Sequence, residues 1–306
     1  LSAHQLLIRS PGISPYRKDL AELRNAGMRF SSASNLWFAQ HPDRKTICIT
    51  GTKGKSTTAA LTDHLLRGAG CRTVLAGNIG QPLLDATDKN ADWWIIELSS
   101  YQLADLEASP SIAAVTNLTD EHLDWHGGGE QYRRDKLRLI GLAGPAPKVV
   151  NASDAELVAR VKDGPDIHWF GAGQGYHVRN DQLFNGSALV GDIPRQHLSG
   201  PHNLANLAAA LTIARLAGHP ITDPSQALQG FRGLPHRLQR LGTRAGVSYV
   251  NDSLSTTPVA TVAALKALRG ERVILLAGGL DRGLDWHAQI PNIISQGPHA
   301  VICLPD

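Results

Sequence analysis

The stretch that most constrains this chain is Lys45-Thr46-Ile47-Cys48-Ile49-Thr50-Gly51-Thr52-Lys53-Gly54-Lys55-Ser56-Thr57-Thr58. A β-branched apolar run stops at two glycines, a lysine and several hydroxyl residues, and a helix-like run from Ala59 to Leu66 follows. That order predicts a strand, a tight loop and a helix start. Such a loop turns backbone N–H groups and the positive end of a helix toward an anion. Lys55 adds a full charge, and Ser56 offers a hydroxyl to Mg²⁺. The expected ligand is a nucleoside triphosphate, held by Gly51, Thr52, Lys53, Gly54, Lys55, Ser56 and Thr57. The general eight-residue pattern asks for glycine at position 49, where this chain has Ile49, so the loop is a shortened variant.

Of the 306 residues, 42% are hydrophobic and 19% charged, as in a soluble globular chain with room for two or three domains. A formal charge of +3 is too small to argue for nucleic acid. No stretch reaches the roughly eighteen apolar residues of a membrane span. Cys48, Cys71 and Cys303 form no motif. Cys48 and Cys303 lie in apolar runs and are expected to be buried thiols of a reducing compartment, the cytoplasm. The chain starts at Leu1 and ends at Pro305-Asp306, directly after the apolar run Ala300 to Leu304, which is expected of a segment of a longer protein.

Upstream of the loop, Leu6-Leu7-Ile8 reads as a strand, Ser10 to Pro15 as a turn-rich loop, Asp19 to Ala26 as a short helix and Met28 to Phe30 as another strand. His41-Pro42-Asp43 reads as a linker. From Lys45 on, short apolar runs alternate with helical stretches: Val74 to Ala76, Trp93 to Leu98, Ile112 to Val115 and Lys148 to Val150. This rhythm predicts a parallel sheet with helices on both faces, whose ligands sit beyond the carboxyl ends of its strands. Gly77-Asn78-Ile79-Gly80, Glu97 and Thr116 to His122 all fall at such ends. Residues 165 to 200 read as a small antiparallel excursion, with runs at Ile167 to Phe170, Tyr176 to Val178 and Ala188 to Val190. A helix is expected over Asn203 to Ala217, with Gly218 as its cap. After Gly233-Leu234-Pro235-His236-Arg237 a second α/β unit begins, with a strand Val247 to Val250 closed by Asn251-Asp252-Ser253 and a helix from Thr257-Pro258 to Leu268. A strand ending at Ala277 and a helix Pro291 to Ser295 follow.

Several clusters carry chemistry. Glu97 ends an apolar strand, where a carboxylate is costly unless a cation meets it, so it reads as a Mg²⁺ ligand. Asp120-Glu121-His122-Leu123-Asp124-Trp125-His126 is dense in ligand types. The i, i+4 spacing of His122 and His126 can suggest zinc, but no further Cys or His supports it, and one histidine on a second divalent ion at a phosphate site is favoured. Glu121 and His126 read as parts of a solvated loop. Lys136 lies on an amphipathic run from Gln131 to Arg138 and, read alone, is a solvated lysine on a basic face. Asn203 and Asn206 stand at a helix start, Arg237 follows a proline, Asp252 ends a strand and Arg282 follows a glycine pair.

Taken in order, these blocks resemble the Mur ligase family of cell-wall peptide synthetases. The resemblance runs through Ser10-Pro-Gly-Ile, Gly51-Thr-Lys-Gly-Lys-Ser-Thr, Gly77-Asn-Ile-Gly, Glu97-Leu-Ser-Ser-Tyr-Gln-Leu, Thr116-Asn-Leu-Thr-Asp-Glu-His-Leu-Asp, Tyr132 to Arg138, Gly200-Pro-His-Asn-Leu-Ala-Asn, Gly233-Leu-Pro-His-Arg and Asn251-Asp-Ser. The shortened phosphate loop is the form this family uses. The implied fold is α/β in a three-domain architecture: an N-terminal UDP-binding domain mostly absent here (residues 1–43), a central P-loop ATPase with a parallel sheet (44–235) and an incomplete Rossmann-like C-terminal domain (236–306). The Ser-Ser-Tyr-Gln-Leu and Asn-Asp-Ser blocks look most like the member that adds glutamate to UDP-N-acetylmuramoyl-L-alanine, in peptidoglycan synthesis.

The resemblance implies ATP-dependent amide formation through an acyl phosphate, with ATP and two Mg²⁺ ions. Lys55, His122 and Lys136 would be catalytic. Ser56 and Glu97 would hold one ion, and His122 with a carbamylated Lys136 the second. Asn206, Arg237 and Asp252 would join the loop in contacting ATP, and Asn78, Ser99, Thr256 and Arg282 would face the substrates. A monomer is expected. Two positions depart from the glutamate-adding pattern: Leu254 follows Asn-Asp-Ser where a lysine is usual, and Arg282 stands near another usual lysine. D-glutamate is expected first and L-glutamate second. The alternatives are a folylpolyglutamate-synthase-like ligase, or a nucleotide-binding ATPase that is not a ligase.

Overall fold

Thr46-Ile47-Cys48-Ile49-Thr50 forms the middle of a six-stranded parallel sheet because both of its faces are covered by apolar layers. The computed structural model describes residues 6–87, 90–173, 175–180, 182–193, 200–255, 257–279 and 285–304. The chain divides into two compact units, Leu1–Phe231 and Arg232–Asp306.

The first unit opens with strand β1 (Leu6–Arg9), helix α1 (Lys18–Asn25), strand β2 (Arg29–Ser32) and helix α2 (Ala33–Gln40). β1 and β2 pair in parallel. Helix α2 occupies residues expected to precede a linker. Ser32 caps it by accepting a hydrogen bond from Asn35 N, and Trp37 buries its ring 4.8 Å from that of Trp94. Arg9 fastens this segment to the rest of the unit through a buried ion pair with Asp105, Nη2 to Oδ2 2.6 Å.

The sheet strands are β3 (Thr46–Thr50), β4 (Thr73–Gly77), β5 (Trp93–Glu97), β6 (Ile112–Val115), β7 (Lys148–Asn151) and β8 (Ile167–Phe170). They lie side by side in the order β4-β5-β3-β6-β7-β8. Between them run helices α3 (Lys55–Gly68), α4 (Ser100–Leu103), α5 (Leu123–His126), α6 (Gly129–Leu142) and α7 (Ala155–Arg160). The chain leaves β3 for β4 and β5 on one side, then crosses to β6 on the other. β3 is therefore the switch point of the sheet, and the ends of β5, β3 and β6 open on one crevice. Alternate side chains serve opposite layers. Ile47, Ile49 and Ile95 pack with Leu65, Leu207 and Leu211, whereas Cys48, Trp94 and Ile96 pack with Trp37, Leu103 and Leu139.

Ile167 to Phe170 belongs to this sheet: it pairs in parallel with β7 and is not part of the antiparallel excursion. That excursion is the hairpin-linked set β9 (Tyr176–Arg179), β10 (Gln182–Asn185) and β11 (Ala188–Asp192). Helix α8 (Pro201–Leu216) then runs along the sheet, with Leu207 to Leu211, Ile213 and Ala214 fully buried. Its run of alanines lets it pack closely against α3. A four-residue helix, α9 (Pro224–Ala227), follows.

The second unit begins with a hairpin of β12 (Gln239–Arg244) and β13 (Val247–Asn251), whose first strand sequence periodicity did not mark. Helix α10 (Pro258–Ala267) has Thr257 as cap and Pro258 in its first turn, as expected. β14 (Ile274–Ala277), α11 (Ile290–Ser295) and β15 (Ala300–Cys303) complete it, with β14 and β15 in parallel. Cys303 is exposed rather than buried, because β15 lies in a two-stranded sheet without an apolar layer over that side chain. Cys48 is buried as expected.

Replacing a fully buried side chain of α8 leaves a cavity that the close-packed layers cannot refill. Leu211→Ala is expected to lower stability by about 2–5 kcal/mol, read as a lower urea midpoint, while the exposed Leu241→Ala stays within about 0.5 kcal/mol of the starting protein.

Candidate active site at the switch point

The phosphate loop leaves no room for side chains at its two turns. Gly51 has φ 148° and Gly54 has φ 82°. A Cβ on Gly51 would overlap Thr116 Oγ1, and one on Gly54 would overlap the Asn206 side chain. Gly54 also stands at the N-cap of α3, so no cap side chain competes at the helix start and no acidic residue in the first turn offsets the helix dipole. A helix start of this kind suits an anion.

Loop and β6 end are tied together. Thr52 N donates to Asn117 O at 3.0 Å, and Lys53 N to Asn117 Oδ1 at 2.8 Å. Thr116 Oγ1 and Asn117 Nδ2 both donate to Lys53 O, at 2.6 and 2.8 Å. Thr52 Oγ1 donates to Thr119 O at 2.8 Å and lies 2.7 Å from the Tyr132 hydroxyl. In the sequence, Thr116, Asn117 and Tyr132 stand out only as parts of longer motifs. Their place after the strand next to β3 is the signal that marks them as loop supports. Lys53 Nζ pairs with Glu121 at 2.5 Å, and Lys55 Nζ donates to Thr52 O at 3.0 Å.

Glu97 ends β5 opposite Ile49, one residue before the loop strand finishes, and is 1% exposed. Its Oε1 accepts from Asn78 Nδ2 at 3.3 Å, and its buried Oε2 has no partner. An orphaned carboxylate oxygen beside a phosphate loop is the environment a Mg²⁺ ion satisfies. Among the described residues no three His, Cys, Asp or Glu side chains gather as a metal cage. Ser56 stands in the first turn of α3, with the loop on its N-terminal side.

Lys136 is 2% exposed, not solvated, because α6 packs this face onto the sheet. Nζ donates to Gly51 O at 2.8 Å and sits 5.1 Å from the Tyr132 ring centre. Burial pushes its pKa well below the ordinary lysine value, and Lys55 pushes the same way; Glu121 and Glu97 act against them.

His122 is half-exposed and caps α5 in a left-handed backbone conformation, φ 56°, which costs energy for a residue with a Cβ. Burial chiefly lowers its pKa, with Glu121 opposing, so the neutral imidazole that ligates metals is favoured. His126 is not in a solvated loop. It is 1% exposed, and its ring lies between Asp135 and Ser100. The helical spacing failed because α5 starts only at Leu123, so the two histidines do not share a helix face. Glu121 is partly exposed and paired with Lys53.

Ser99 caps α4, accepting from Gln102 N at 3.2 Å. Asn206 is buried on α8; its Oδ1 lies 3.4 Å from Thr58 Oγ1, which places it at the loop. In the second unit, Asp252 accepts from Leu238 N at 2.8 Å, and Arg237 is exposed. Thr256 and Arg282 lie outside the described residues. The first unit thus brings together the loop, Asn78, Glu97, His122, Lys136 and Asn206.

Residues 49–214 match the Mur ligase middle domain. A protein of Xanthomonas oryzae pv. oryzae named UDP-N-acetylmuramoyl-L-alanine--L-glutamate ligase is 44% identical over 99% of this chain, which spans 67% of that relative's length. A protein of the same name from Xylella fastidiosa is also 44% identical, over 99% of the chain and 67% of its own length. Among solved structures, UDP-N-acetylmuramoylalanyl-D-glutamyl-2,6-diaminopimelate--D-alanyl-D-alanyl ligase from Acinetobacter baumannii superposes with a TM-score of 0.73 at 17% identity, over 98% of this chain and 77% of that one. Both the match over more than half of the chain and the identity of the relatives lead to one conclusion: this chain belongs to the Mur ligase family.

Proposed function

We propose that this protein is an ADP-forming ligase that joins L-glutamate to UDP-N-acetylmuramoyl-L-alanine in peptidoglycan precursor synthesis. The observation that carries this reading is the buried Lys136, anchored on Gly51 of the phosphate loop. A phosphate-binding ATPase in general has no use for a lysine sealed behind its loop. A ligase that must hold an acyl phosphate beside ATP does, once that lysine is a carbamate.

The substrate's carboxylate oxygen attacks the γ-phosphorus of ATP as the bond to ADP breaks, giving an acyl phosphate. The amino group of glutamate then adds to the acyl carbon, and phosphate departs from the tetrahedral adduct. Lys55 and the N–H groups at the start of α3 hold the phosphates, while the Thr52 and Lys53 N–H groups tie the loop to Asn117, so the work of the loop is placement and charge neutralisation. Ser56 and Glu97 would hold one Mg²⁺, and His122 with the Lys136 carbamate a second, and ions held there would supply charge neutralisation for phosphoryl transfer. The amine of Lys136 adds to CO₂ only when neutral, and its burial favours that form. Asn78 orients the substrate's carboxylate end through the same side chain that touches Glu97. By the family resemblance, Asn206, Arg237 and Asp252 would be ATP-binding residues, and Ser99, Thr256 and Arg282 would be substrate residues. Residues 1–43, 44–235 and 236–306 are the three domain segments, and the reaction takes place in the cytoplasm. No helix among the described residues is long and apolar enough to cross a membrane.

The sequence alone put D-glutamate ahead of L-glutamate. The names of the relatives, together with Leu254 in place of the usual lysine, favour L-glutamate.

Phosphate release by the full-length protein with ATP, Mg²⁺ and UDP-N-acetylmuramoyl-L-alanine is expected with L-glutamate and to be slower by about tenfold or more with D-glutamate. Absence of release with both isomers would remove the reading. Lys136→Ala is expected to abolish turnover without rescue by bicarbonate. In the unsubstituted protein, ¹³C-bicarbonate should label Lys136, and the carbamate signal should persist to lower pH than that of an exposed lysine, because a depressed pKa keeps the amine neutral further down the scale. Gly54→Ala forces both a left-handed residue and an overlap with Asn206, and should weaken ATP binding about tenfold or more in calorimetry.

A further inference from the structure

Behind the phosphate site runs a buried chain of hydrogen bonds that the reaction itself does not use. Ser100 Oγ, in the first turn of α4, lies 3.0 Å from His126 Nε2. On the other edge of the ring, His126 Nδ1 lies 2.6 Å from Asp135 Oδ2. Asp135 Oδ1 accepts from the Tyr16 hydroxyl at 2.6 Å and from Gln131 Nε2 at 2.8 Å. Ser100, His126 and Asp135 are 4%, 1% and 4% exposed. With the carboxylate as acceptor, Nδ1 carries the proton and Nε2 accepts from the serine hydroxyl. The order is that of a hydrolytic triad, but a serine this deeply buried has no access to an outside substrate, so nucleophilic chemistry is excluded.

What the chain does connect is specific. Ser100 stands three residues after Glu97, and His126 ends the single-turn helix that His122 caps. Asp135 immediately precedes Lys136 on α6. Three elements from separate parts of the sequence, one behind each of Glu97, His122 and Lys136, therefore meet at a single imidazole. Two of them, α4 and α5, are four residues long and cannot hold their own position. The left-handed backbone at His122 likewise persists only where its surroundings over-determine it. On the far side, Tyr101 of α4 stacks on Trp125 of α5 at 4.2 Å and 17°, which holds the same two helices together a second time.

We propose that Ser100, His126 and Asp135 are positioning residues that lock α4, α5 and α6 in one arrangement and so fix the spacing of Glu97, His122 and Lys136 for divalent ions. This rests on the assignment of those three as ligands. A histidine that merely fills the core would affect melting alone. A positioning histidine affects ion affinity in protein that is fully folded.

The test uses the full-length protein, Mn²⁺ as the probe and a non-hydrolysable ATP analogue, with Mn²⁺ binding followed by electron paramagnetic resonance and folding checked by circular dichroism at the same temperature. Ser100→Ala and His126→Asn are expected to weaken Mn²⁺ binding about tenfold or more. kcat should fall in parallel, while KM for ATP stays within about threefold. Ser100→Thr, which keeps the hydroxyl, should restore Mn²⁺ affinity. Folded Ser100→Ala protein that binds Mn²⁺ as tightly as the starting protein overturns the proposal, and this variant alone decides if His126→Asn does not fold. Glu97→Gln and Lys136→Ala serve as references. If they too leave Mn²⁺ affinity unchanged, the ligand assignment itself falls; if they weaken it while Ser100→Ala does not, only the positioning role falls.

Discussion

A lysine ammonium placed 2% exposed in the interior, with its hydrogen bond on a backbone carbonyl, is the constraint around which this site is organised. Burying a charge costs several kcal/mol unless partners compensate it. Here the compensation is partial. Gly51 O accepts one hydrogen bond, the Tyr132 ring offers its face at 5.1 Å, and Glu97 and Glu121 act only as more distant charges. The interior consequently favours the neutral amine. It also fixes geometry, because the carbonyl that accepts this hydrogen bond belongs to the first glycine of the phosphate loop. Lysine, loop and Tyr132, whose hydroxyl meets Thr52, form one connected group, so the loop is held from behind as well as along its edge.

The sheet makes this grouping possible. Strand order places β3 between β5 and β6, so the phosphate loop, the Glu97 carboxylate and the segment leading to His122 leave from adjacent strand ends. The register matters as much as the order. Glu97 lies opposite Ile49, and Val115 lies opposite Thr50, which sets the carboxylate and the Thr116-Asn117 clamp at the level of the loop. A shift of one residue in β5 would turn Glu97 into the opposite layer, since strand side chains alternate in direction.

Local signals made part of this legible from sequence. The β-branched run of β3, the glycines of the loop and the proline after Thr257 each act over a few residues, and each led to the element observed. Where the outcome depended on distant partners, the sequence was a poorer guide. Helix α2 has an ordinary serine cap, but its reason to exist is Trp37 packing on Trp94, which lies far along the chain. Ile167 to Phe170 reads the same whether it pairs in parallel or antiparallel, and β7 decides. The burial of Lys136 and His126 was invisible to periodicity, since polar residues on an amphipathic helix normally face water. Only the family resemblance singled out Lys136, and nothing in the pattern singled out the Ser100 and Asp135 partners of His126.

Two uncompensated groups in this interior are of opposite character. Glu97 Oε2 is buried without a donor, and Lys136 is buried without an adjacent carboxylate as hydrogen-bond partner. A core selected for stability alone would pair them or replace them with apolar side chains. The orphaned Glu97 oxygen lowers stability by an amount on the order of 1–3 kcal/mol, the usual cost of an unsatisfied buried polar group, and Lys136 keeps only part of the compensation a buried charge needs. The proposed ligands would satisfy both: a cation for the carboxylate, and a carbamate in place of the ammonium. Local rules of packing are relaxed at this place, and functional sites are where sequences give up stability for a task.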